Sequence, residues 1–381
     1  MTNAPAGIIL LTCEYTPFPG GIARYSEHLA KEVRRIGLEA LVIAPKYSEF
    51  PTPVDEQYTY RVLGHHQVTP AAALSVLTIL RHAPANRLFL AADIRSVLLA
   101  YTFRFFHRRP YRAMIHGSEV SKFRSANPLR RYVSRAYKTA EMITANSQAT
   151  LDIFSAAFGK HPNSVVNYLG VEPGWFTQAA GQFDNGELAR IPSDAAIICT
   201  VGRIEPRKGQ LEAVSAIARA RDVYGLRNPL FVIAGRPEDE DYTIRVLAEA
   251  RRLDVRTIQT GAVSEDDLKR LYSRAVCHFM CARVLPGKVE GFGLVIIEAG
   301  AQKCPTIATA VGGIAEAMGD AGIITEINDF DGMAQALASY ASDPEKRAHD
   351  GAAARRKALT FSWRMCARGT FPELSWPDGT G

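Results

Sequence analysis

The sequence predicts an α/β protein with two domains, each a parallel β-sheet covered by helices on both faces. Three observations support this prediction. Short apolar segments alternate with stretches of helical period along the whole chain. The alternation occurs in two blocks, separated by an irregular segment at residues 173–194 that contains Pro, Gly, Gln and Asn. The length of 381 residues also suits two or three domains of about 150 residues each.

The first block begins with a strand, a glycine-rich loop at residues 17–21 and a helix at residues 24–35, which Gly37 is well placed to end. Its predicted strands are continuously apolar, as expected when both faces of a sheet are covered. They span residues 8–12, 41–44, 88–91, 113–115, 142–145 and 164–167.

The second block repeats this organisation. A helix is predicted at residues 210–222, and Ser264 followed by three acidic residues predicts the capped start of another. The predicted strands span residues 196–201, 230–234, 257–260, 276–280, 305–308 and 322–325. Parallel sheets bind their ligands beyond the carboxyl ends of the strands, so functional residues are expected in the loops that follow strands.

The two blocks predict an N-terminal domain at residues 1–172, a linker at 173–194, a C-terminal domain at 195–360 and a tail at 361–381.

The front and back halves of the chain differ in net charge. Residues 1–170 contain 20 Lys/Arg and 11 Asp/Glu, whereas the remaining residues contain 25 and 28. A basic front half and a mildly acidic back half indicate different partners for the two domains.

Composition excludes several classes of protein. Apolar residues make up 47% and charged residues 22%, the balance of a globular chain. No apolar run reaches the roughly 18–20 residues that span a bilayer, and no basic residue precedes the short run at 8–11. The six cysteines are scattered, which favours buried free thiols over disulfides or a zinc site. We therefore expect a cytoplasmic protein without a bound metal.

Several familiar motifs are absent from the sequence. No Gly-x-Gly-x-x-Gly opens a helix, and no Gly-x4-Gly-Lys-Ser/Thr is present, which disfavours a standard dinucleotide fold and a P-loop nucleotidase. No Gly-x-Ser-x-Gly elbow is present either, which disfavours a serine hydrolase.

The most informative segment begins with Glu290 and ends with Glu298. Two glycines precede an apolar helical run, so the backbone amides of Phe292, Gly293 and Leu294 are predicted at a helix N-terminus, where anions bind. A carboxylate upstream of such a site suits hydrogen bonds from the hydroxyls of a bound sugar. Eight residues span roughly 12 Å of helix, about the distance from a sugar ring past a diphosphate to a ribose. The alternative is a solvated glutamate followed by one on a helix face.

A basic turn follows the first strand of the second block. Arg203 and Lys208 lie in this turn, where a guanidinium fork and a mobile ammonium suit the oxygens of a diphosphate and stabilise it as a leaving group. Arg207, in the same turn, has no comparable assignment. The alternative is an ordinary basic turn at the surface.

Two further candidates lie in the first block. His116 follows the strand at residues 113–115, where it could bind a sugar hydroxyl or be a packed core histidine. Gly20 and Gly21 follow the first strand and permit close approach of another backbone, or form only a tight turn.

Together these segments resemble the retaining glycosyltransferases of the GT-B fold, specifically glycosyltransferase family 4 (group 1). The resemblance covers most of the chain and implies two Rossmann-like parallel-sheet domains that face each other across a cleft. The matching motifs, in chain order, are the Pro-Phe-Pro-Gly-Gly loop at residues 17–21, His116-Gly117, Val201-Gly-Arg-x4-Lys-Gly, Leu268-x2-Leu-Tyr-Ser, the Glu-x7-Glu stretch from Glu290 and Gly312-Gly-Ile-Ala-Glu316.

The resemblance also implies a role for each candidate residue. Arg203 and Lys208 would hold the donor diphosphate. Glu290 and the backbone amides that follow it would hold the transferred sugar. Glu298 would bind the ribose hydroxyls, Val263 would lie beside the base, and His116 would contact the sugar from the opposite domain. The loop containing Gly20 and Gly21 belongs to the same donor-binding set.

The resemblance leaves the substrates partly open. Residues 283–293 look most like members that use GDP-mannose, although UDP-sugar users share much of this segment. Residues 50–110, where an acceptor pocket would lie, match no recognisable motif. The implied reaction is transfer of a hexose to an acceptor hydroxyl with retention, in which the departing phosphate oxygen takes the acceptor proton and no cofactor or metal takes part. The acceptor would be a lipid-linked or cell-envelope glycan precursor, another glycan or a soluble small molecule.

This chain departs from the family pattern at Leu169, Val276 and Lys303. The family usually has glycine where Lys303 ends a helix, and a left-handed backbone there would cost about 1 kcal/mol. The sequence does not explain the tail at residues 361–381; in the family the last helix often packs back on the first domain, and the resemblance implies the same for this tail.

The basic front half contains two segments in which aromatic and basic residues mix, at residues 101–112 and 122–138. They suit an anionic membrane surface or a lipid-diphosphate acceptor, which would make the enzyme peripheral on the inner face of the membrane. The alternative is that they form an ordinary solvated helix face.

Three other functions stay open: a sugar-nucleotide epimerase, a glycan phosphorylase with pyridoxal phosphate, and a nucleic-acid-binding protein. The last ranks lowest because it leaves the diphosphate residues without a role.

Overall fold

A computed structural model describes residues 5–50, 57–64, 67–123 and 128–377. The chain forms two compact units, of which the first comprises Met1–Gly170 with Ser362–Gly381 and the second comprises Val171–Phe361. Each unit is built on one parallel sheet with helices, which confirms the predicted fold class.

The first unit contains a seven-stranded sheet of order β3-β2-β1-β4-β5-β6-β7. Neighbouring strands pair in parallel throughout, and β1 is buried along its whole length because helices cover both faces. The strands are β1 (Gly7–Leu11), β2 (Glu39–Lys46), β3 (Thr59–Gly64), β4 (Arg87–Ala91), β5 (Arg112–Ile115), β6 (Met142–Ala145) and β7 (Ser164–Val166).

Among the described residues before Gly170, seven helices accompany this sheet. Helix α1 begins at Gly21, three residues before the predicted start, and ends just before Gly37, whose φ is +78. The helices are α1 (Gly21–Arg35), α2 (Pro70–His82), α3 (Ile94–Thr102), α4 (Arg104–His107), α5 (Ser118–Ser121), α6 (Arg130–Lys138) and α7 (Gln148–Phe158).

The second unit contains a six-stranded parallel sheet of order β10-β9-β8-β11-β12-β13. Its strands are β8 (Ala196–Val201), β9 (Pro229–Ala234), β10 (Thr257–Gly261), β11 (Cys277–Met280), β12 (Thr306–Thr309) and β13 (Gly322–Thr325). Its helices are α8 (Gly186–Ala189), α9 (Gln210–Tyr224), α10 (Glu240–Arg252), α11 (Glu265–Arg274), α12 (Leu294–Ala301), α13 (Ile314–Met318), α14 (Phe330–Ser342) and α15 (Pro344–Ala358). The Ser264 hydroxyl accepts from the Asp267 amide, so the predicted cap of α11 is confirmed.

The last helix, α16 (Trp363–Thr370), belongs to the first unit. It packs on α1, where the rings of His28 and Trp363 stack with centroids 4.5 Å apart. The side-chain amide of Asn167 donates to the carbonyl of Cys366 at 2.7 Å. These contacts attach the C-terminal residues to the first sheet.

All six cysteines are buried and none forms a disulfide. Burial raises the pKa of the Cys277 and Cys281 thiols well above the ordinary value, so both are protonated at neutral pH. In the part of the chain that the structure describes, three or more metal-ligating side chains do not converge on any point. No helix among the described residues has the length and apolar character needed to cross a bilayer.

Candidate active site

Two loops of the second unit come together where its strand order reverses. Residues 202–209 follow β8 and residues 281–293 follow β11, and these strands are neighbours. Gly209 has a φ of +69, and a Cβ at this position would lie 1.7 Å from the carbonyl oxygen of Cys281. Only glycine permits this approach, so Gly209 holds the first loop against the second. Such a reversal point is where open α/β sheets bind ligands.

The two loops are joined by an ion cluster around Glu290. The ammonium Nζ of Lys208 donates to Oε2 of Glu290 at 2.7 Å. A guanidinium nitrogen of Arg207 donates to the same carboxylate oxygen. All three side chains are at least nine-tenths buried. The structure therefore brings together the two predicted residues Lys208 and Glu290, and adds Arg207 between them.

Arg207 bridges two carboxylates. Its Nη2 donates to Oε1 of Glu205 at 2.7 Å, while its Nη1 donates to Glu290. Residues Pro206–Lys208 form a single 3-10 turn, which directs the side chains of Arg207 and Lys208 inward. A planar guanidinium with two carboxylate partners is fixed in orientation, and it fixes both carboxylates in turn.

These contacts set the charge of the cluster. Burial acts to raise the pKa of Glu290, but Lys208 and Arg207 outweigh it and hold that pKa below its ordinary value. Burial lowers the pKa of Lys208, against the opposing effect of Glu290. Burial also acts to lower the pKa of Arg207, but Glu290 and Glu205 raise it above its ordinary value. Glu290 is therefore ionised at neutral pH beside a permanent cation.

Arg203 lies at the outer side of the cluster. Its side chain is 54% exposed, and it contacts Glu205 and Glu238 at 3.3 Å each. Lys288, also about half exposed, contacts the other oxygen of Glu205 at 3.4 Å. Arg203 thus reaches Glu205, whereas Lys208 reaches Glu290, and the two predicted phosphate-binding cations differ sharply in burial.

The start of α12 lies just after Glu290. Gly293 is the N-cap residue with a φ of +91, and Leu294 is the first helical residue. The amide of Phe292 therefore precedes the cap, a correction to its expected place at the helix end, and its buried ring packs edge-on against Phe361 at 5.3 Å. The first amides of a helix have no partner within it, so Gly293 and Leu294 carry the anion-binding end.

A second pair of glycines holds the backbone of Glu290. The amide of Gly313 donates to the Glu290 carbonyl at 3.0 Å. At Gly312, with a φ of +60, a Cβ would lie 2.0 Å from that carbonyl oxygen. The Gly312-Gly313 motif therefore acts structurally, by allowing the loop after β12 to approach the loop after β11.

Glu298 and Val263 occupy the same unit. Glu298 lies on α12, four residues after Leu294, and is 3% exposed. Val263 follows β10 and immediately precedes the Ser264 cap of α11, so it lies beyond the carboxyl end of an edge strand. Both lie on the side of the sheet to which the Glu290 cluster belongs, because carboxyl ends of parallel strands share one edge.

The first unit contains the other predicted residues. His116 follows β5, its Nε2 lies 2.8 Å from the carbonyl oxygen of Ala92, and its ring packs edge-on against Tyr25 at 5.4 Å. Gly20 is the extended N-cap residue of α1, and Gly21 is its first residue. All three follow strands at the carboxyl edge of the first sheet, whereas Glu290 belongs to the second unit.

Two site residues carry no role in the sequence-based prediction, Glu205 and Arg207. Both lie in the basic turn, between Arg203 and Lys208. The sequence contained a signal for them: in residues 203–208 the carboxylate of Glu205 lies among three cations, Arg203, Arg207 and Lys208, which favours an internal ion pair over a fully solvated turn.

Comparison with known protein families agrees with this architecture. A family model described as "Glycosyltransferase Family 4" matches residues 19–175, and one described as "Glycosyl transferases group 1" matches residues 186–357. The chain belongs to glycosyltransferase family 4, group 1. The enzyme is therefore a hexosyltransferase with a nucleotide-sugar donor, which confirms the expected class of reaction.

Curated relatives match the enzyme along almost its whole length. A Corynebacterium glutamicum protein is 28% identical over 95% of this chain and 96% of its own. It is named a GDP-mannose-dependent monoacylated alpha-(1-6)-phosphatidylinositol monomannoside mannosyltransferase. A Mycolicibacterium smegmatis protein, 27% identical over 95% and 96% of the two chains, is named a GDP-mannose-dependent alpha-(1-6)-phosphatidylinositol monomannoside mannosyltransferase.

Solved structures share the fold at lower identity. The Anabaena protein HepE in complex with UDP-glucose superposes with a TM-score of 0.78 at 18% identity, covering 96% of this chain and 98% of that one. Sucrose-phosphate synthase from Thermosynechococcus elongatus gives a TM-score of 0.76 at 20% identity, covering 95% and 96%. At these identities the likeness establishes the fold, which is GT-B.

Proposed function

We propose that the enzyme transfers mannose from GDP-mannose to a hydroxyl of a lipid-linked acceptor, with retention at the anomeric carbon. The observation that carries the donor half of this proposal is the buried Lys208–Glu290–Arg207 cluster beside the start of α12. The choice of GDP-mannose and of a lipid acceptor is supported by the names of the full-length relatives.

The charges of the cluster suit a diphosphate. Four cations contact three carboxylates, the buried Glu205 and Glu290 and the exposed Glu238, so the cluster carries one positive charge in excess. Release of Glu238 from Arg203 raises this excess to two. A diphosphate diester carries two negative charges. Lys208 and Arg203 supply the ligands to its oxygens, and the amides of Gly293 and Leu294 add the dipole of α12. Arg203 is half exposed, so it can turn from Glu238 to a phosphate at little cost.

Glu290 then binds the transferred sugar. When a phosphate takes over Lys208, the Glu290 carboxylate loses one partner and can accept from a sugar hydroxyl instead. Arg207 stays bound and keeps that carboxylate ionised and oriented. We therefore assign Glu290 to the sugar and Arg207 to positioning Glu290.

For the remaining donor contacts of the second unit we propose the roles that the resemblance implies. Glu298, buried on α12, binds the ribose hydroxyls, and Val263 lies beside the base. The donor roles of His116, Gly20 and Gly21, which belong to the first unit, stay predictions. In His116 the hydrogen bond from Nε2 to the Ala92 carbonyl leaves Nδ1 as the acceptor nitrogen.

The transfer step needs no group beyond donor and acceptor. The bond between the anomeric carbon and the diphosphate oxygen breaks, and a bond from that carbon to the acceptor oxygen forms on the same face. The acceptor proton passes to the departing diphosphate oxygen. Arg203, Lys208 and the start of α12 stabilise the charge that develops on this oxygen, which lowers the barrier.

A binding and product assay tests the proposal. Thermal shifts are measured with GDP-mannose, GDP, UDP-glucose and UDP, and mannose transfer is then followed into phosphatidylcholine vesicles that contain phosphatidylinositol monomannoside. We expect a larger shift with GDP-mannose than with UDP-glucose, and an α-linked lipid product by NMR. A shift with UDP-glucose alone contradicts the choice of donor. A free sugar altered in the absence of acceptor indicates an epimerase, and transfer only to soluble acceptors contradicts the lipid acceptor.

A further inference from the structure

One face of the first unit exposes large aromatic side chains. Helix α4 has only four residues, of which Phe105 is 71% and Phe106 is 61% exposed. On α6 and just before it, Tyr132 is 41% and Leu129 is 59% exposed. Isolated exposed apolar residues are ordinary, but four on adjoining elements form a patch that requires a function.

Phe105 on α4 and Tyr132 on α6 are linked through the side chains of Arg104 and Tyr101. The guanidinium of Arg104 lies over the rings of Tyr101 and Phe105, at 3.9 and 4.1 Å from their centroids. Tyr101 in turn packs edge-on against Tyr132, with centroids 5.3 Å apart. We call this set, Phe105, Phe106, Leu129 and Tyr132, the α4–α6 surface.

Basic residues surround the α4–α6 surface. Arg131 and Arg135 are exposed and lie one turn apart on α6, on either side of Tyr132, and Arg108 is exposed just after α4. In the described part of the chain these three arginines form no ion pair. Residues 124–127, part of the second basic segment noted in the sequence, lie outside the described residues.

Acidic residues are almost absent from this part of the chain. Residues 57–140 contain 14 Lys/Arg and only two Asp/Glu. Asp93 is buried and accepts from the Cys13 amide, and Glu119 accepts from the His116 amide. Neither carboxylate is available to neutralise the exposed arginines. The next acidic residue along the chain is the exposed Glu141 after α6, so positive charges outnumber negative ones in this region.

We propose that the α4–α6 surface is the site where the enzyme docks on an anionic lipid bilayer. Exposed phenylalanines insert among the acyl chains at the boundary with the headgroups, tyrosine occupies the interface, and the flanking arginines bind anionic headgroups. A surface with basic residues alone would bind headgroups only through salt-dependent contacts. Two adjacent exposed phenylalanines indicate that side chains also insert into the bilayer. The inference rests on the proposed function for its purpose, because a lipid acceptor must be reached at a membrane.

Vesicle flotation tests this proposal directly. The full chain is mixed with vesicles of phosphatidylcholine alone, or of phosphatidylcholine with phosphatidylglycerol, at low and high salt. We expect flotation with the anionic vesicles and weaker flotation at high salt. The double variant Phe105→Ser/Phe106→Ser should lower the ratio of bound to free enzyme about tenfold or more. The double variant Arg131→Gln/Arg135→Gln should lower it by a similar factor at low salt only.

A matched control separates this surface from general hydrophobicity. Ile244 on α10 is 65% exposed and belongs to the second unit, so Ile244→Ser should float as the wild type does. Circular dichroism checks that every variant is folded. The proposal is overturned if the wild type does not float with anionic vesicles or if the phenylalanine variant floats as the wild type does. It is also overturned if Ile244→Ser reduces flotation as strongly as the phenylalanine variant. It is also overturned if light scattering shows that the phenylalanine variant only breaks a dimer.

A thermal-shift measurement keeps this proposal separate from the function. The same proteins are heated with and without GDP-mannose. A wild type that shifts with GDP-mannose but does not float contradicts the docking surface alone. One that floats but shifts with neither GDP-mannose nor UDP-glucose contradicts the proposed function alone.

Discussion

The two units share a parallel-sheet architecture but hold their charges in opposite ways. In the second unit, Glu205, Arg207, Lys208 and Glu290 are buried and paired with one another. In the first unit, Arg108, Arg131 and Arg135 are exposed, beside Phe105 and Phe106.

The difference indicates two kinds of recognition. Buried paired charges are fixed in position before a ligand arrives, so they suit one ligand of defined geometry and are little affected by salt. Exposed charges beside apolar side chains have no fixed partner, so they suit a fluid surface of opposite charge and weaken in salt. Under the two proposals above, the second unit binds the donor and the exposed surface of the first unit brings the enzyme to its acceptor.

The largest effect is expected at Glu290. The substitution Glu290→Gln removes the carboxylate that we propose binds the sugar, and it leaves Arg207 and Lys208 without their shared partner. Turnover of the nucleotide sugar should fall by about 100-fold or more, and the free energy of unfolding by about 3 kcal/mol. Steady-state kinetics and denaturant unfolding measure the two effects.

A matched change keeps this prediction specific. Glu249, half-buried on α10, pairs with Arg252 in the same helix and with no other cation among the described residues, so Glu249→Gln should change turnover less than twofold. Near-normal turnover in Glu290→Gln would show that the cluster is structural and that the donor sugar binds elsewhere.

An intermediate effect is expected at Arg207. The guanidinium helps hold the pKa of Glu290 below its ordinary value, so Arg207→Met should raise that pKa. Because Glu290 stabilises the fold while ionised, its contribution is lost as pH falls through its folded pKa, and this loss should begin at a higher pH in the variant. The acid limb of kcat should move the same way, with kcat near neutral pH lowered about tenfold.

Arg207→Lys provides the comparison for that experiment. An ammonium can retain one of the two ion pairs of Arg207, so Arg207→Lys should recover part of the wild-type kcat. The acid limb of its kcat–pH profile should lie close to that of the wild type. An unchanged pH profile in Arg207→Met would contradict a positioning role, even if stability falls.

Much of the fold could be predicted from the sequence, and the exceptions have physical causes. Continuously apolar strands such as β1 and β8 are recognisable because both of their faces are covered. Strand β3 was not predicted, because it is an edge strand whose residues are mostly half exposed. Helix α1 starts at Gly21, before its apolar period becomes apparent.

The site could be predicted in part. Lys208 and Glu290 were predicted from their loops, and the structure brings them into contact. The bridging role of Arg207 was not predicted, because Arg203, Arg207 and Lys208 share one turn and only the 3-10 geometry decides which of them point inward. The choice between a basic surface turn and a phosphate site depends on burial, which spacing alone does not give.

The smallest effect is expected at Lys303, away from both charged regions. Lys303 follows α12 with a φ of +59, the left-handed backbone for which the family has glycine. Lys303→Gly should therefore raise the free energy of unfolding by about 0.5–1 kcal/mol and leave turnover unchanged. Arg245→Gly, within α10, should instead lower the free energy of unfolding by about 1 kcal/mol. If both substitutions change the free energy of unfolding in the same direction, the left-handed backbone at Lys303 is not the cause.

A crystal of the full chain soaked with GDP shows directly where the diphosphate binds. We expect density for the diphosphate within hydrogen-bond distance of Lys208 Nζ and Arg203, with its oxygens at the amides of Gly293 and Leu294. Glu290 should then be bound to Arg207 and no longer to Lys208. Density for GDP in the first unit, or a Lys208–Glu290 ion pair left intact beside the bound diphosphate, would contradict the proposed donor site.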